Sequence, residues 1–146
     1  VDGLHLAIAG DGELRKEVQA TGERLMGERF HLLKLPREKM PELYRCANVF
    51  LHMSLDEPSA NVYIEALSTG LPIVTQDRIV TQWTLEDTST LVDTTSPDEI
   101  VKGLKTALSA NSEHQVEKRQ NLVERRFSWQ SLAKEYLTFF KAVCGE

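Results

Sequence analysis

VFLHMSLDEPSANVYIEALSTGLPIVT, residues 49–75, reads as a strand, a loop, a helix and a second strand. Val49 to Met53 is an apolar run of strand length. Pro58 or Ser59 opens a helix that runs to Thr69, because proline suits a first turn, where its missing N–H costs nothing. Gly70 supplies the stop. Leu71 to Thr75 is then a short buried strand. Strand and helix in alternation indicate an α/β protein with a parallel sheet.

The same alternation continues on both sides. Gly3 to Ala9 alternates and then runs apolar, as a buried strand does, and Gly10-Asp11-Gly12 turns the chain. Glu13 to Met26 has helical spacing, with Gly22 weakening its middle. Phe30 to Leu35 is a second strand closed by Pro36, and a short helix covers Pro41 to Cys46. Downstream, Gln76 to Asp87 is less regular, and Leu91-Val92 is a candidate fifth strand. Ser96-Pro97-Asp98-Glu99 is a helix start, with proline and acids in the first turn, and that helix reaches about Ala110. Glu113 to Arg126 and Ser128 to Val143 are also helical. The last helix carries Trp129, Leu132, Tyr136, Phe139 and Phe140 on one broad face, either core or a face for a domain outside these residues. The expected fold is therefore a Rossmann-like parallel sheet flanked by helices, one domain over residues 1–146 with no internal boundary.

Composition narrows the function classes. The chain has 146 residues, 41% hydrophobic and 27% charged, as ordinary globular proteins do. A formal net charge of -5 argues against nucleic acid as a partner, since phosphate backbones need a basic stripe. No segment approaches the roughly 18 apolar residues of a membrane span. Cys46 and Cys144 form neither a disulfide framework nor a metal cluster. Cys46 is expected in the core and Cys144 as a loose thiol. These features predict a cytoplasmic location, with peripheral binding at the inner membrane face as a variant for a full-length protein. The chain lacks an initiator Met and enters an apolar strand at once, so it is expected to be cropped at its front.

The chemistry concentrates where the strand ending at Met53 hands over to the helix. Glu57 lies in the loop and Glu65 on the second helical turn. The backbone N–H groups of Ala60, Asn61 and Val62 have no helical partners and point out of the helix start. Such donors, at the positive end of a helix dipole, suit a phosphate or a polar sugar. A carboxylate only accepts hydrogen bonds, with two oxygens, which suits a vicinal diol. On spacing alone, a loop acid and a solvated helix glutamate are the commoner reading.

The surrounding string resembles the retaining glycosyltransferases of group 1 (family four, GT-B fold). Ser54, Glu57, Glu65, Ala66, Gly70, Pro72, Ile73 and Val74 all fall on that family's signature. LAIAGDGEL at 6–14 is similar to its strand and Gly-x-Gly turn, and MPELYRCA at 40–47 to its helix before the third strand. Leu91 to Leu108 looks like its closing strand and helix, and Phe127-Ser128-Trp129 like the start of its last helix. The resemblance implies the C-terminal, donor-binding half of a GT-B enzyme, with no cofactor beyond a nucleotide-sugar donor (UDP-, GDP- or ADP-sugar). Glu57 would hold donor-sugar hydroxyls and Glu65 the ribose hydroxyls. Ser59, Ala60, Asn61 and Val62 would line the sugar and diphosphate, and the loop from Leu35 to Lys39 would lie along the base.

The chain departs from the family's pattern in three places. Pro58-Ser59-Ala60 stands where a glycine-rich triplet is common. Gln76 to Trp83 replaces a loop that often carries glycines and a glutamate. The family's diphosphate-neutralising Arg and Lys, and the strand bearing them, have no match. The first strand is thus expected to be missing, leaving 4–9 paired with 31–34, 49–52 paired with 72–75, and a slot between the pairs that is vacant or filled by another chain. The acceptor-binding N-terminal domain would be the missing partner, and the fragment alone is expected to be inactive. No residue is nominated as a nucleophile. The rival readings are a sugar-nucleotide epimerase of the same fold, and a non-catalytic sensor or scaffold.

Other residues have plainer readings beside the functional one. Gly10-Asp11-Gly12 is more often a turn than a phosphate loop. His52 is a satisfied core or rim histidine, and His5, His31 and His114 are too scattered for a metal. Lys34, Arg37 and Lys39 are chiefly solvated. Arg78 is evenly balanced between a ligand contact and none. Trp83 is either a plug beneath its loop, the plainer reading, or a sugar-facing platform.

Overall fold

The computed structural model describes residues 3–56 and 61–145, which fall into two compact units, residues 1–40 and 41–146. Glu57, Pro58, Ser59 and Ala60 lie outside the described residues.

In the first unit, β1 (Leu6–Ala9) and β2 (Phe30–Leu33) are joined through helix α1 (Arg15–Met26). The strands pair in parallel from Leu6↔Phe30 to Ala9↔Leu33, as the sequence predicts. The burial of β1 is not as predicted. All four residues are exposed, and Leu6 and Ile8 each keep 37% of their surface. Among the described residues β1 pairs only with β2, and α1 packs on β2, where Phe30 is the buried residue. An apolar run patterned for burial thus has little over it. The Gly10-Asp11-Gly12 turn is latched by Arg15, which donates to the Gly10 carbonyl at 2.9 Å and the Leu32 carbonyl at 3.3 Å. Lys34 forms an ion pair with Asp11 and holds that carboxyl below the usual range. His5 and His31, distant in sequence, meet across the strand pair. Their ring nitrogens lie 3.1 Å apart and the rings stack.

The second unit holds α2 (Met40–Cys46) from its second residue on, then β3 (Phe50–His52), α3 (Asn61–Ser68) and β4 (Ile73–Gln76). It continues with α4 (Ile79–Leu85), β5 (Thr90–Val92), α5 (Pro97–Ser109), α6 (Glu113–Phe127) and α7 (Trp129–Cys144). Its sheet has the order β3-β4-β5, all parallel, with Phe50↔Ile73 and Val74↔Thr90 in register. The expected pairing of 49–52 with 72–75 is therefore present.

Both faces of β4 are covered. Val74 packs with Val92 and Ala107, and Leu51, Ile100 and Leu104 close around them. Gly103 lets α5 approach this closely, because a Cβ there would sit 2.8 Å from Val92 Cγ1 and 3.1 Å from Val74 Cγ1. Ile73 and Thr75 point the other way along the strand. Both are fully buried, and Thr75 meets Tyr63 of α3. Helix α3 packs in turn on α6. Gly70 ends it with φ +79°, a left-handed conformation in which glycine has no Cβ penalty, and Val116 leaves no room for a side chain.

Two further sequence expectations need correction here. Gln76 to Asp87 is not irregular but contains α4, capped by the Thr81 hydroxyl, which accepts the Arg78 N–H at 3.0 Å. Cys46 is exposed rather than core. Tyr44 turns inward on α2, and two residues further on, about 200° round the helix, the side chain faces out. Of the two readings of the aromatic face of α7, core is excluded among the described residues. Trp129 is 82% exposed, and Tyr136, Phe139 and Phe140 are exposed as well.

Candidate functional site

The site is built around α3, whose place over the sheet is fixed by Tyr63. This side chain is 3% exposed. Its hydroxyl lies 2.9 Å from Thr75 Oγ1 on β4 and 2.8 Å from His52 Nδ1 on β3. One phenol therefore ties the helix to two adjacent strands. The His52 and Tyr63 rings meet nearly at right angles, 4.9 Å apart, and His52 is half-buried. His52 is thus the satisfied rim histidine of the plainer reading.

Half a turn beyond Tyr63, Glu65 is half-buried, and its Oε2 accepts a hydrogen bond from the Tyr44 hydroxyl at 3.1 Å. Tyr44 is 5% exposed and stands edge-on to Phe50 of β3, 5.8 Å between ring centres. Burial first, then the Glu65 carboxylate, raise its pKa above the ordinary phenol value, so it remains a neutral donor. Glu65 is not the solvated helix glutamate of the plainer reading. It is an oriented acceptor, with one oxygen engaged by α2.

Arg78 reaches this region from the end of β4. Its guanidinium donates to the carbonyl of Leu55, in the loop that follows β3. Asn61 is exposed and Val62 half-buried in the first turn of α3. Of the predicted site residues, the structure describes Glu65, Asn61, Val62 and Arg78, while Glu57, Ser59 and Ala60 lie outside the described residues.

Trp83 is not a plug. It is 65% exposed, and Arg126 sits over its ring at 4.3 Å. Arg78, Ile79, Val80 and Trp83 line an open hollow of about 620 Å³. A second hollow of about 250 Å³, between the end of α4 and α6, includes Glu86, Asp87, Lys118 and Arg125 in its lining. Four of the charges there are paired, Lys118 with Asp87 and Arg125 with Glu86.

Sequence reasoning missed two contributors. Tyr44 lay within a recognised segment, but only the fold brings its hydroxyl to Glu65. Arg119 of α6 is 4% exposed and donates to the carbonyl of Gly70 at 2.8 Å, to Asn111 Oδ1 at 2.7 Å and to the Thr88 carbonyl at 3.4 Å. It holds the far end of α3 in place. Burial lowers its pKa.

The architecture is that of the GT-B glycosyltransferases. Sucrose-phosphate synthase from Thermosynechococcus elongatus superposes with a TM-score of 0.81 at 21% identity, over 97% of this chain and 39% of that one. A glycosyltransferase from Rickettsia africae ESF-5 gives 0.75 at 13% identity, over 97% and 40%. Residues 1–129 match the family described as glycosyl transferases group 1, and the chain belongs to that family. Among curated relatives, it is 24% identical over 133 residues to the phosphatidylinositol N-acetylglucosaminyltransferase polypeptide of Arabidopsis thaliana, covering 90% of this chain and 30% of that protein. It is 29% identical over 113 residues to spore coat protein SA of Bacillus subtilis (strain 168), covering 70% and 29%. The chain thus spans about a third of the length of these relatives.

Proposed function

We propose that this chain is the donor-binding half of a retaining glycosyltransferase, taking a UDP-, GDP- or ADP-sugar, with the acceptor site on a separate N-terminal domain. The observation that carries the reading is Glu65, oriented on α3 by Tyr44 in a chain of the group 1 family. A carboxylate fixed in this way accepts from the two hydroxyls of a ribose. Glu57 would hold the hydroxyls of the transferred sugar. The backbone of Ser59, Ala60, Asn61 and Val62 would approach sugar and diphosphate, where helix-start N–H groups would favour negative charge. Arg78, already at the loop after β3, would lend positive charge there. These residues act by positioning and electrostatics, and acceptor recognition belongs to the other domain.

Two substitutions in the complete polypeptide test the assignment. Glu65→Ala is expected to lose about 1.5–3 kcal/mol of donor affinity by calorimetry, the range for a charged hydrogen-bond partner. Unchanged affinity in a folded variant would refute the ribose assignment. Glu57→Gln is expected to lower turnover while leaving the affinity for the bare nucleoside diphosphate near that of the wild type. An equal fall in both would misplace Glu57.

A further inference from the structure

We propose that Tyr44 is a positioning residue that sets the specificity of Glu65 for a vicinal diol, an inference that rests on the ribose reading above. The geometry has three parts. The phenol is buried and pinned edge-on against Phe50, so its oxygen is fixed relative to β3. The hydroxyl donates to Glu65 Oε2 at 3.1 Å, which restrains the rotamer and the orientation of the carboxylate. Glu65 itself rides on a helix anchored by Tyr63 to β3 and β4.

A glutamate side chain has three rotatable bonds, and on a helix surface it samples many orientations. A diol presents two hydroxyls at a fixed spacing, and both can donate to one carboxylate only when its plane faces them. Tyr44 removes that search. It occupies one lone-pair direction of Oε2 and leaves Oε1, with the second direction of Oε2, to the ligand. Because the phenol stays neutral well beyond neutral pH, its proton remains available for this contact. The preorganisation favours a ligand with two adjacent hydroxyls over one with none.

The test compares nucleoside diphosphates with their 2′,3′-dideoxy forms, by calorimetry on the complete polypeptide. The base used is whichever of UDP, GDP and ADP the wild type binds most tightly. Tyr44→Phe keeps the ring contact with Phe50 and removes only the hydroxyl, so the fold is retained, which thermal unfolding checks. The wild type is expected to prefer the ribose form. Tyr44→Phe is expected to weaken that form roughly five- to tenfold, the size of one hydrogen bond, with the dideoxy affinity unchanged. On a Glu65→Ala background, Tyr44→Phe is expected to add nothing.

An equal loss for both ligands, or no loss for either, would overturn the proposal while leaving the ribose reading intact. A wild type that does not distinguish the two ligands would remove the ribose reading, and this inference with it.

Discussion

Tyr44 keeps its proton longer when folded than when unfolded, and this has a measurable consequence. Its folded pKa is raised, so the folded state binds more protons than the unfolded state once the pH passes the unfolded phenol value of about 10. The associated stability is fully present below that value and falls as pH rises beyond it, by at most about 1.4 kcal/mol per pH unit. Alkaline unfolding of the wild type is therefore expected to be steeper above pH ~10 than that of Tyr44→Phe. Parallel curves would contradict the buried contact with Glu65. At this scale the sequence was partly legible. Glu65 stood out because the string around it has a recognisable pattern. Tyr44 did not, because its hydroxyl meets a carboxylate 21 positions away only after α2 and α3 have docked. The pairing of His5 with His31 was hidden for the same reason, since strand register decides it.

Among the elements, the helices that open on a serine were the most legible. Ser96, Ser112 and Ser128 each cap a helix by accepting a backbone N–H three residues on. Helix α4 escaped notice because Arg78 and Ile79 carry no such signal, and its β-branched residues weaken helix propensity. Its cap is Thr81, from inside the helix. Tertiary contacts compensate. Glu86 closes α4 at φ 48°, uncommon for a non-glycine residue, and its carboxylate accepts from both Arg125 and Arg126 of α6. Arg119 does similar work for α3 from the same helix, with three acceptors and little water. Arg119→Met is expected to cost about 2–4 kcal/mol in chemical unfolding, because it leaves buried carbonyls unsatisfied. A loss under about 0.5 kcal/mol would show that those groups find water instead.

For the whole molecule, the parallel pairings and the α/β class were legible, and the burial of its apolar faces was not. Periodicity says which residues can be covered, not whether a cover is present. In these 146 residues the run at 6–9 and the aromatic side of α7 remain exposed. Among the described residues no helix is long and apolar enough to cross a membrane. Exposed apolar patches of this kind favour association. The isolated chain is therefore expected to self-associate at micromolar concentration in light scattering, and a monodisperse monomer would contradict that. The central claim is that a nucleotide sugar is held at the start of α3, and a crystal structure of the complete polypeptide with its nucleoside diphosphate tests it most directly. The ribose hydroxyls are expected within about 3 Å of the Glu65 carboxylate, with the diphosphate against the backbone at Asn61 and Val62. A nucleotide bound with its ribose away from Glu65 would contradict the account.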